Sequence, residues 1–311
     1  MVASVHGCSK MLPLLLANKA PINFQRPNKC TALYMASEHG HPETAKLSIQ
    51  HGADLELEDV KGFTPLTAAA WKNHPDVASV LLENGAAINK RQKQGATPLY
   101  VACQHGHTAV VKTLLAHGAA VNLPDSMGIT PLMASVNGKR PEIMELLLDH
   151  GAEVNRKSFT GTAALYMTCE TGNLPMARML LNQGADIEAV DLEDWTPLMC
   201  AVRDHPAVVE MEDWTPLMCA VRDHPAVVEM LLKRGAAVDK QIPDGATALY
   251  LASEYGRLEP VRTLLNHGAT VNLETDERMT PLMIATLKRH NRVATLLRER
   301  GGKPEILVVV Q

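Results

Sequence analysis

Apolar residues recur at helical spacing in two short blocks between residues 97 and 118. Thr97 is a good helix N-cap, and Pro98 suits the first helical position because its missing N–H would have no partner there. Two apolar faces follow, formed by Leu99, Ala102 and Cys103 and then by Val110, Val111, Leu114 and Leu115. Gly106 separates the blocks, and Gly118 ends the second because glycine adopts a positive φ freely. The pattern predicts two short helices, followed by an extended segment at residues 119–122.

The same unit repeats along nearly the whole chain. Strings related to Thr-Pro-Leu begin at nine positions, which are Thr31, Thr64, Thr97, Thr130, Ala163, Thr196, Thr215, Thr247 and Thr280. Their spacing is 33 residues five times, and then 19, 32 and 33. A second string, related to Leu-Leu-x-x-Gly-Ala-x-Val-Asn, runs in phase with the first. One such unit cannot bury its own apolar face, so we expect the repeats to stack into a solenoid.

This pattern resembles the ankyrin repeat, and its recurrence in register makes the resemblance specific. The resemblance implies an all-α solenoid of stacked helix-turn-helix units with short projecting β-hairpins. We expect a single ankyrin-repeat domain over residues 1–311. Its expected parts are a partial repeat at 1–25, five repeats at 26–192, a duplicated half-repeat at 193–211, two repeats at 212–272, a C-terminal repeat at 273–303 and an apolar tail at 304–311.

Two features depart from the regular pattern. The family's Thr-Pro-Leu string is normally followed by His, whereas this position holds Tyr, Thr or Met in all nine copies. The tyrosines are Tyr34, Tyr100, Tyr166 and Tyr250. In addition, residues 193–211 recur without change at 212–230. Because 19 residues hold one helix and about half of the next, we expect a local irregularity near 193–215 with normal stacking on each side.

Composition places the chain among globular proteins. Its 311 residues are 46% hydrophobic and 21% charged, with a mean hydropathy of −0.06. This balance excludes long intrinsic disorder, and no run approaches the ~18 apolar residues of a membrane span. The six cysteines form no Cys-x-x-Cys pair, and the N-terminus is a poor signal peptide. We therefore expect a protein of the cytoplasm or nucleus that is neither secreted nor inserted in a membrane.

Motifs for catalysis or cofactor binding are absent from the sequence, including the P-loop, His-Glu-x-x-His and Gly-x-Ser-x-Gly. Two histidine pairs flank a glycine and suggest a metal site, namely His39 with His41 and His105 with His107. The pairs are two repeats apart, so they cannot share a zinc ion with bonds of ~2 Å. Cys103 and Cys169 occupy one helix position and are expected to be small core residues. We expect no enzyme activity, cofactor or metal.

Aromatic residues make up only 4% of the chain. The resemblance implies that the turn before the first helix of each repeat, and the end of that helix, face a concave partner-binding surface. The rings in or near these places are Phe63, Trp71, Phe159, Trp195, Trp214 and Tyr255. Aromatic anchors dominate binding hot spots, although any one ring could instead cover the neighbouring repeat.

Charged residues at matching positions are expected to set the specificity of this surface. They are Glu38, Lys61, Lys72, Lys93, Glu170, Arg203, Arg222, Asp244 and Glu254. Their signs are mixed, so they indicate no single charge class of partner. The net charge of −4 argues against binding to nucleic acid, whose phosphates it repels.

The sequence therefore predicts a non-catalytic scaffold or adaptor that acts as a monomer and binds a partner protein. The alternative is the ankyrin targeting segment of a larger enzyme, channel or ubiquitin-ligase adaptor whose other domains lie outside this chain. The resemblance also implies that four hairpin asparagines match sites modified by an asparagine-hydroxylating dioxygenase. These are Asn89, Asn122, Asn155 and Asn272.

Overall fold

A computed structural model describes residues 1–189 and 224–303 of the chain. The chain divides into two compact units, Met1–Glu153 and Val154–Gln311. Both are built from short helices joined by turns. The predicted irregularity at 193–215, the second copy of the duplication up to residue 223 and the tail at 304–311 lie outside the described residues.

The first unit contains ten helices in five consecutive pairs. They are α1 (Val2–Val5), α2 (Met11–Ala17), α3 (Ala32–Glu38), α4 (Pro42–Gln50), α5 (Pro65–Trp71), α6 (Pro75–Glu83), α7 (Pro98–His105), α8 (Thr108–Ala116), α9 (Pro131–Asn137) and α10 (Pro141–Asp149). The odd-numbered helix of each pair is called the first helix of its repeat, and the even-numbered one the second helix. The predicted helix pair is therefore confirmed in every repeat of this unit.

Threonine caps explain where the first helices begin. In α7, the Oγ1 atom of Thr97 accepts a hydrogen bond from the backbone N–H of Tyr100 at 3.2 Å. Thr31, Thr64 and Thr130 do the same for α3, α5 and α9. The helix α7 ends at Gly106, which has a φ of 81°. This left-handed conformation carries little steric cost in glycine.

Stacking of like helices forms the core of the first unit. Each first helix contacts the first helix of the next repeat, and the second helices contact one another in the same way. The first helices α3, α5, α7 and α9 are largely buried, and Leu99, Ala102 and Cys103 have no exposed surface. The second helices bury only one face, such as Val110, Val111 and Leu114 in α8. The predicted core role of Cys103 is thus confirmed, and Cys169 in the second unit is equally buried.

The second unit contains seven helices among its described residues. They are α11 (Ala164–Glu170), α12 (Leu174–Asn182), α13 (Pro225–Lys233), α14 (Ala248–Glu254), α15 (Leu258–Asn266), α16 (Pro281–Leu287) and α17 (Asn291–Glu299). In this unit the numbering shifts, so that the first helices are α11, α14 and α16 and the second helices are α12, α13, α15 and α17. The helix α14 contacts α16, and α13 contacts α15. Ala163 is the N-cap residue of α11 and its side chain makes no capping hydrogen bond, whereas α14 and α16 have threonine caps.

Contacts between repeats resume in register on the far side of residues 190–223. The helix α13 contacts α12, and His224 bonds to the carbonyl oxygen of Glu170 across 54 residues, where equivalent bonds span 36. Arg234 bonds to Asn182 across 52 residues, where Arg300 bonds to Asn266 across 34. Both separations are 18 residues longer than their equivalents. The second helices therefore stack normally on either side of additional sequence.

The predicted hairpins are present as tight turns, and no residue of 1–189 or 224–303 lies in a β-strand. In each turn two backbone bonds close the loop, as from the N–H of Gln92 to Ala96 at 2.9 Å and from the N–H of Gly95 to Gln92 at 2.8 Å. A single bond, such as that from Lys93 to Lys61 at 3.3 Å, joins neighbouring turns. These bonds are too few to form a ladder. The predicted extended segment at 119–122 is wrong in its second half, because residues 121–122 form a turn.

Candidate partner-binding surface

The predicted partner-binding residues occupy a few equivalent places in their repeats. Glu38, Trp71, Glu170 and Glu254 are the last residues of first helices, and Lys72 and Tyr255 follow such a residue directly. Lys61, Phe63, Lys93, Phe159 and Asp244 lie in the turns that precede first helices. Trp195, Arg203, Trp214 and Arg222 lie outside the described residues.

Five of these residues come together in the first unit. Phe63 lies just before the capping residue Thr64 of α5, and Trp71 ends the same helix. Their ring centroids are 5.9 Å apart, and the ring planes meet at 84° in an edge-to-face contact. Such pairs stabilise by about 0.5–1.5 kcal/mol beyond the area that they bury. Both rings remain partly exposed, so the pair is accessible to a partner.

Lysines surround this aromatic pair. The Nζ atom of Lys72 lies 3.8 Å from the centroid of the Trp71 ring, and that of Lys61 lies 5.6 Å from it. Both distances are within the range of a cation–π interaction. Lys93 belongs to the next turn, which is bonded to the backbone of Lys61. We call Lys61, Phe63, Trp71, Lys72 and Lys93 the basic aromatic cluster.

A cavity of about 350 Å³ lies beside this cluster. Its lining consists of Lys61, Phe63, Trp71, Gln92, Lys93 and Gln94. The two glutamines belong to the neighbouring turn, and Gln92 accepts a hydrogen bond from the backbone N–H of Gln94 at 2.6 Å. The cavity therefore has an aromatic wall on one repeat and a polar, cationic wall on the next.

In the second unit, the turn before α14 and the end of α14 carry the acidic candidates Asp244 and Glu254. Glu254 lies at the end of α14, and its carboxylate is 3.8 Å from the Nζ atom of Lys288. Burial raises the pKa of Glu254, as does the charge of Asp244, while Lys288 lowers it. Burial and the charges of Glu254, Asp244 and Glu277 raise the pKa of Tyr250 to about 12. The electrostatic character of this place is thus opposite to that of the basic aromatic cluster.

The remaining candidates are dispersed. Phe159 is 69% exposed at a turn of the second unit, and Tyr255 is half-buried. Glu170 is half-buried at the end of α11, and burial raises the pKa of its carboxyl to about 7. Glu38 ends α3, and its carbonyl oxygen bonds to the Nε2 atom of His74 at 3.0 Å.

Histidines join successive repeats in a way that the sequence analysis missed. His41, His74, His107, His224 and His290 each place Nε2 at 2.8–3.1 Å from a carbonyl oxygen near the end of the preceding first helix. These residues begin the second helices and recur at one position of the repeat, which is the signal that could have revealed them. They are structural ties between repeats.

Asparagines of the turns also join repeats. Asn122 donates from Nδ2 to the carbonyl oxygen of Gly151 at 3.2 Å and accepts from the N–H of Glu153 at 2.9 Å. Asn23, Asn155 and Asn272 make the same two bonds to their following repeats. Three of the predicted hydroxylation positions, Asn122, Asn155 and Asn272, therefore share this bonding arrangement.

The described residues hold no group of three or more His, Cys, Asp and Glu side chains that could bind a metal ion. None of the described helices is long and apolar enough to cross a membrane. Burial raises the pKa of the Cys103 thiol well above its usual range and that of Cys169 to about 12. Neither thiol is therefore activated as a nucleophile.

Comparison with known proteins places these features in a family. Residues 1–92, 85–158, 156–211 and 217–307 match a family model described as ankyrin repeats in three copies. Over 74 residues the chain is 40% identical to a Mus musculus protein described as B-cell lymphoma 3 protein homolog. The match covers 24% of this chain and 16% of that relative. The chain thus aligns with a small part of the relative's length.

Proposed function

The chain belongs to the ankyrin repeat family, and we propose that it is a non-catalytic protein-recognition module. Its partner binds at the turns and at the C-terminal ends of the first helices. Repeats of this kind are protein-interaction modules, and a rigid stack presents its side chains with little ordering cost on binding. We further propose that the protein acts as a monomer in the cytoplasm or nucleus.

The observation that carries this proposal is the partly exposed pair of Phe63 and Trp71. Both rings are fixed by the contact between them, and Trp71 is also held by Lys72 across its face. Large rings that are already ordered are typical anchors of binding hot spots. The adjoining cavity offers space for a side chain of the partner.

The proposal can be tested by affinity capture with the full chain, followed by identification of bound proteins by mass spectrometry. Isothermal titration calorimetry then measures the binding of the most enriched protein to the purified chain. We expect the double variant Phe63→Ala with Trp71→Ala to bind at least tenfold more weakly, because it removes both anchors. Far-UV circular dichroism should show unchanged helicity.

Phe24→Ala is the matched control, since Phe24 is 57% exposed in the same unit but lies outside the basic aromatic cluster. This variant should bind the partner as the unchanged chain does. Equal affinity of the double variant and the unchanged chain, with helicity preserved, would contradict the proposed surface. Sedimentation velocity of the free chain tests whether the protein is a monomer.

A further inference from the structure

We propose that the basic aromatic cluster recognises an acidic, extended peptide segment that inserts one large apolar side chain into the cavity beside Trp71. This inference rests on the proposed function and adds the chemistry of the partner to it. It concerns only the first unit, which contains the whole cluster.

The three lysines of the cluster, Lys61, Lys72 and Lys93, are exposed and form no ion pair among the described residues. Nearby Lys90, by contrast, pairs with Glu58 at 3.3 Å. Three ammonium groups on one surface, none of them held in an ion pair among the described residues, attract an acidic ligand and disfavour a basic one.

Asp59 is the acidic residue closest in sequence to Lys61, and its carboxylate is engaged in other hydrogen bonds. Asp59 is only 8% exposed. One of its carboxylate oxygens accepts from the backbone N–H groups of Lys61 and Phe63, and the other accepts from the hydroxyl of Tyr34. This carboxylate holds the turn in shape and is not directed to the lysines' ammonium groups. The lysine charges therefore remain available to a partner.

The aromatic half of the cluster favours a partner that carries a large apolar side chain. Phe63 and Trp71 expose ring surface beside a cavity of about 350 Å³, which lies at the lower end of the ~300–1,000 Å³ typical of ligand pockets. One side chain of a peptide fits such a volume, while a folded domain surface does not enter it. Gln92 and Gln94 also line the cavity; the Gln92 amide is bonded to Gln94, and the amide NH2 group of Gln94 can donate to a peptide backbone.

The spacing of the elements favours an extended peptide over a compact ligand. Lys61 and Lys93 lie on two neighbouring turns, and Lys72 lies at the end of the helix between them in sequence. Acidic residues on both sides of the apolar anchor can therefore each meet a lysine. Nucleic acid would also meet these charges, but the chain as a whole is acidic, with a net charge of −4.

Selection from a random peptide library displayed on phage tests the proposal with the full chain as bait. We expect the selected peptides to be enriched in Asp and Glu around one large apolar residue. A selected peptide, labelled with fluorescein, should bind at least tenfold more weakly to the variant Lys61→Ala, Lys72→Ala, Lys93→Ala. Its affinity should also fall steeply as salt is raised.

Matched controls use Lys46 and Lys112, exposed lysines on the second helices α4 and α8. The variant Lys46→Ala with Lys112→Ala should bind the selected peptide normally. A selected pool without acidic enrichment would overturn the inference, as would equal binding by the triple variant. Tighter binding of a twelve-residue oligouridylate than of any selected peptide would overturn it in favour of nucleic acid.

The same experiment separates failure of the inference from failure of the proposed function. Peptides that are not acidic but lose affinity in Phe63→Ala with Trp71→Ala would refute the inference and leave the recognition surface intact. Peptides whose binding is unaffected by both the lysine and the aromatic variants would refute both.

Discussion

The Nε2 atom of His107 lies 2.9 Å from the backbone carbonyl oxygen of Trp71. The bond connects the start of α8 to the end of α5 in the preceding repeat. It satisfies a carbonyl group that the helix end leaves without an intrahelical partner. Trp71, the central ring of the basic aromatic cluster, is therefore held in place by a neighbouring repeat as well as by its own helix.

Replacing His107 should lower stability and change its dependence on pH. Burial is the main cause that lowers the pKa of His107 below its ordinary value of 6.5; the hydrogen bond to the Trp71 carbonyl raises it in part, and the charges of His105, Arg140 and His74 lower it further. The folded protein thus favours neutral His107. The stabilisation that His107 provides is complete above pH 6.5, the pKa in the unfolded chain, and is lost as the pH falls through the lower pKa of the folded protein. His107→Ala should cost about 0.5–1.5 kcal/mol at neutral pH.

Urea unfolding followed by circular dichroism at about pH 8 and about pH 5.5 checks this prediction. The difference between the unchanged chain and His107→Ala should be larger at the higher pH. His117→Ala serves as the control, because His117 is exposed and bonds only to a carbonyl four residues earlier in its own helix. A pH-independent difference would contradict the titration of His107.

Gly40→Ala should destabilise the first unit more than Gly118→Ala. Both glycines have positive φ, 74° and 83°, so each substitution carries a left-handed cost of about 1–2 kcal/mol. A Cβ atom on Gly40 would also lie 2.5 Å from Nδ1 of His74, whereas one on Gly118 would meet nothing within 4 Å. This crowding of the histidine tie adds about 1–3 kcal/mol. Thermal unfolding of both variants measures the difference in stability. Equal losses of stability would contradict the prediction, because they would show that His74 moves away from the added Cβ atom at little cost.

Asn122→Ala should cost about 1–2 kcal/mol because two hydrogen bonds to the next repeat are lost. Asn84→Ala is the comparison, since Asn84 makes one bond within its own helix end, to Val80 at 2.7 Å. Chemical unfolding measures both variants. Hydrogen exchange at the N–H of Glu153 should rise only in Asn122→Ala, and unchanged protection there would contradict the role of Asn122 as a tie.

Ala163→Thr should stabilise the second unit. Six of the described first helices have a threonine N-cap, namely α3, α5, α7, α9, α14 and α16. The helix α11 has Ala163 at this position. Restoring the cap should contribute about 0.5–2 kcal/mol, and Thr97→Ala should lose a similar amount from α7. Urea unfolding compares the two variants. A loss of stability in Ala163→Thr would mean that the buried position cannot accept the larger side chain.

Local sequence predicted the helices well, because their signals lie within a few residues. The Thr97 cap, the Gly106 stop and the buried face around Cys103 all depend on nearby positions. The bond from His107 to Trp71 spans 36 residues and depends on how repeats stack. A single repeat contains no information about that contact, so the sequence predicts no bond between repeats at His107.

The candidate surface was predictable only where it depends on local sequence. Phe63 and Trp71 could be selected as rings in the turn and at the helix end that the resemblance assigns to the partner-binding surface. The position of the Lys72 ammonium over the Trp71 ring depends on side-chain conformations that no periodic pattern specifies. The opposite charge near Tyr250 likewise emerges only when Asp244 and Glu254 are brought together.

The offset of 18 residues between α12 and α13 bears on how such a protein can evolve and be engineered. The bonds from His224 to Glu170 and from Arg234 to Asn182 depend on matching surfaces and not on the length of chain between them. Sequence gained between residues 189 and 224 leaves these pairings in place. An insertion in this interval is therefore expected to leave the pairing of α12 with α13 intact.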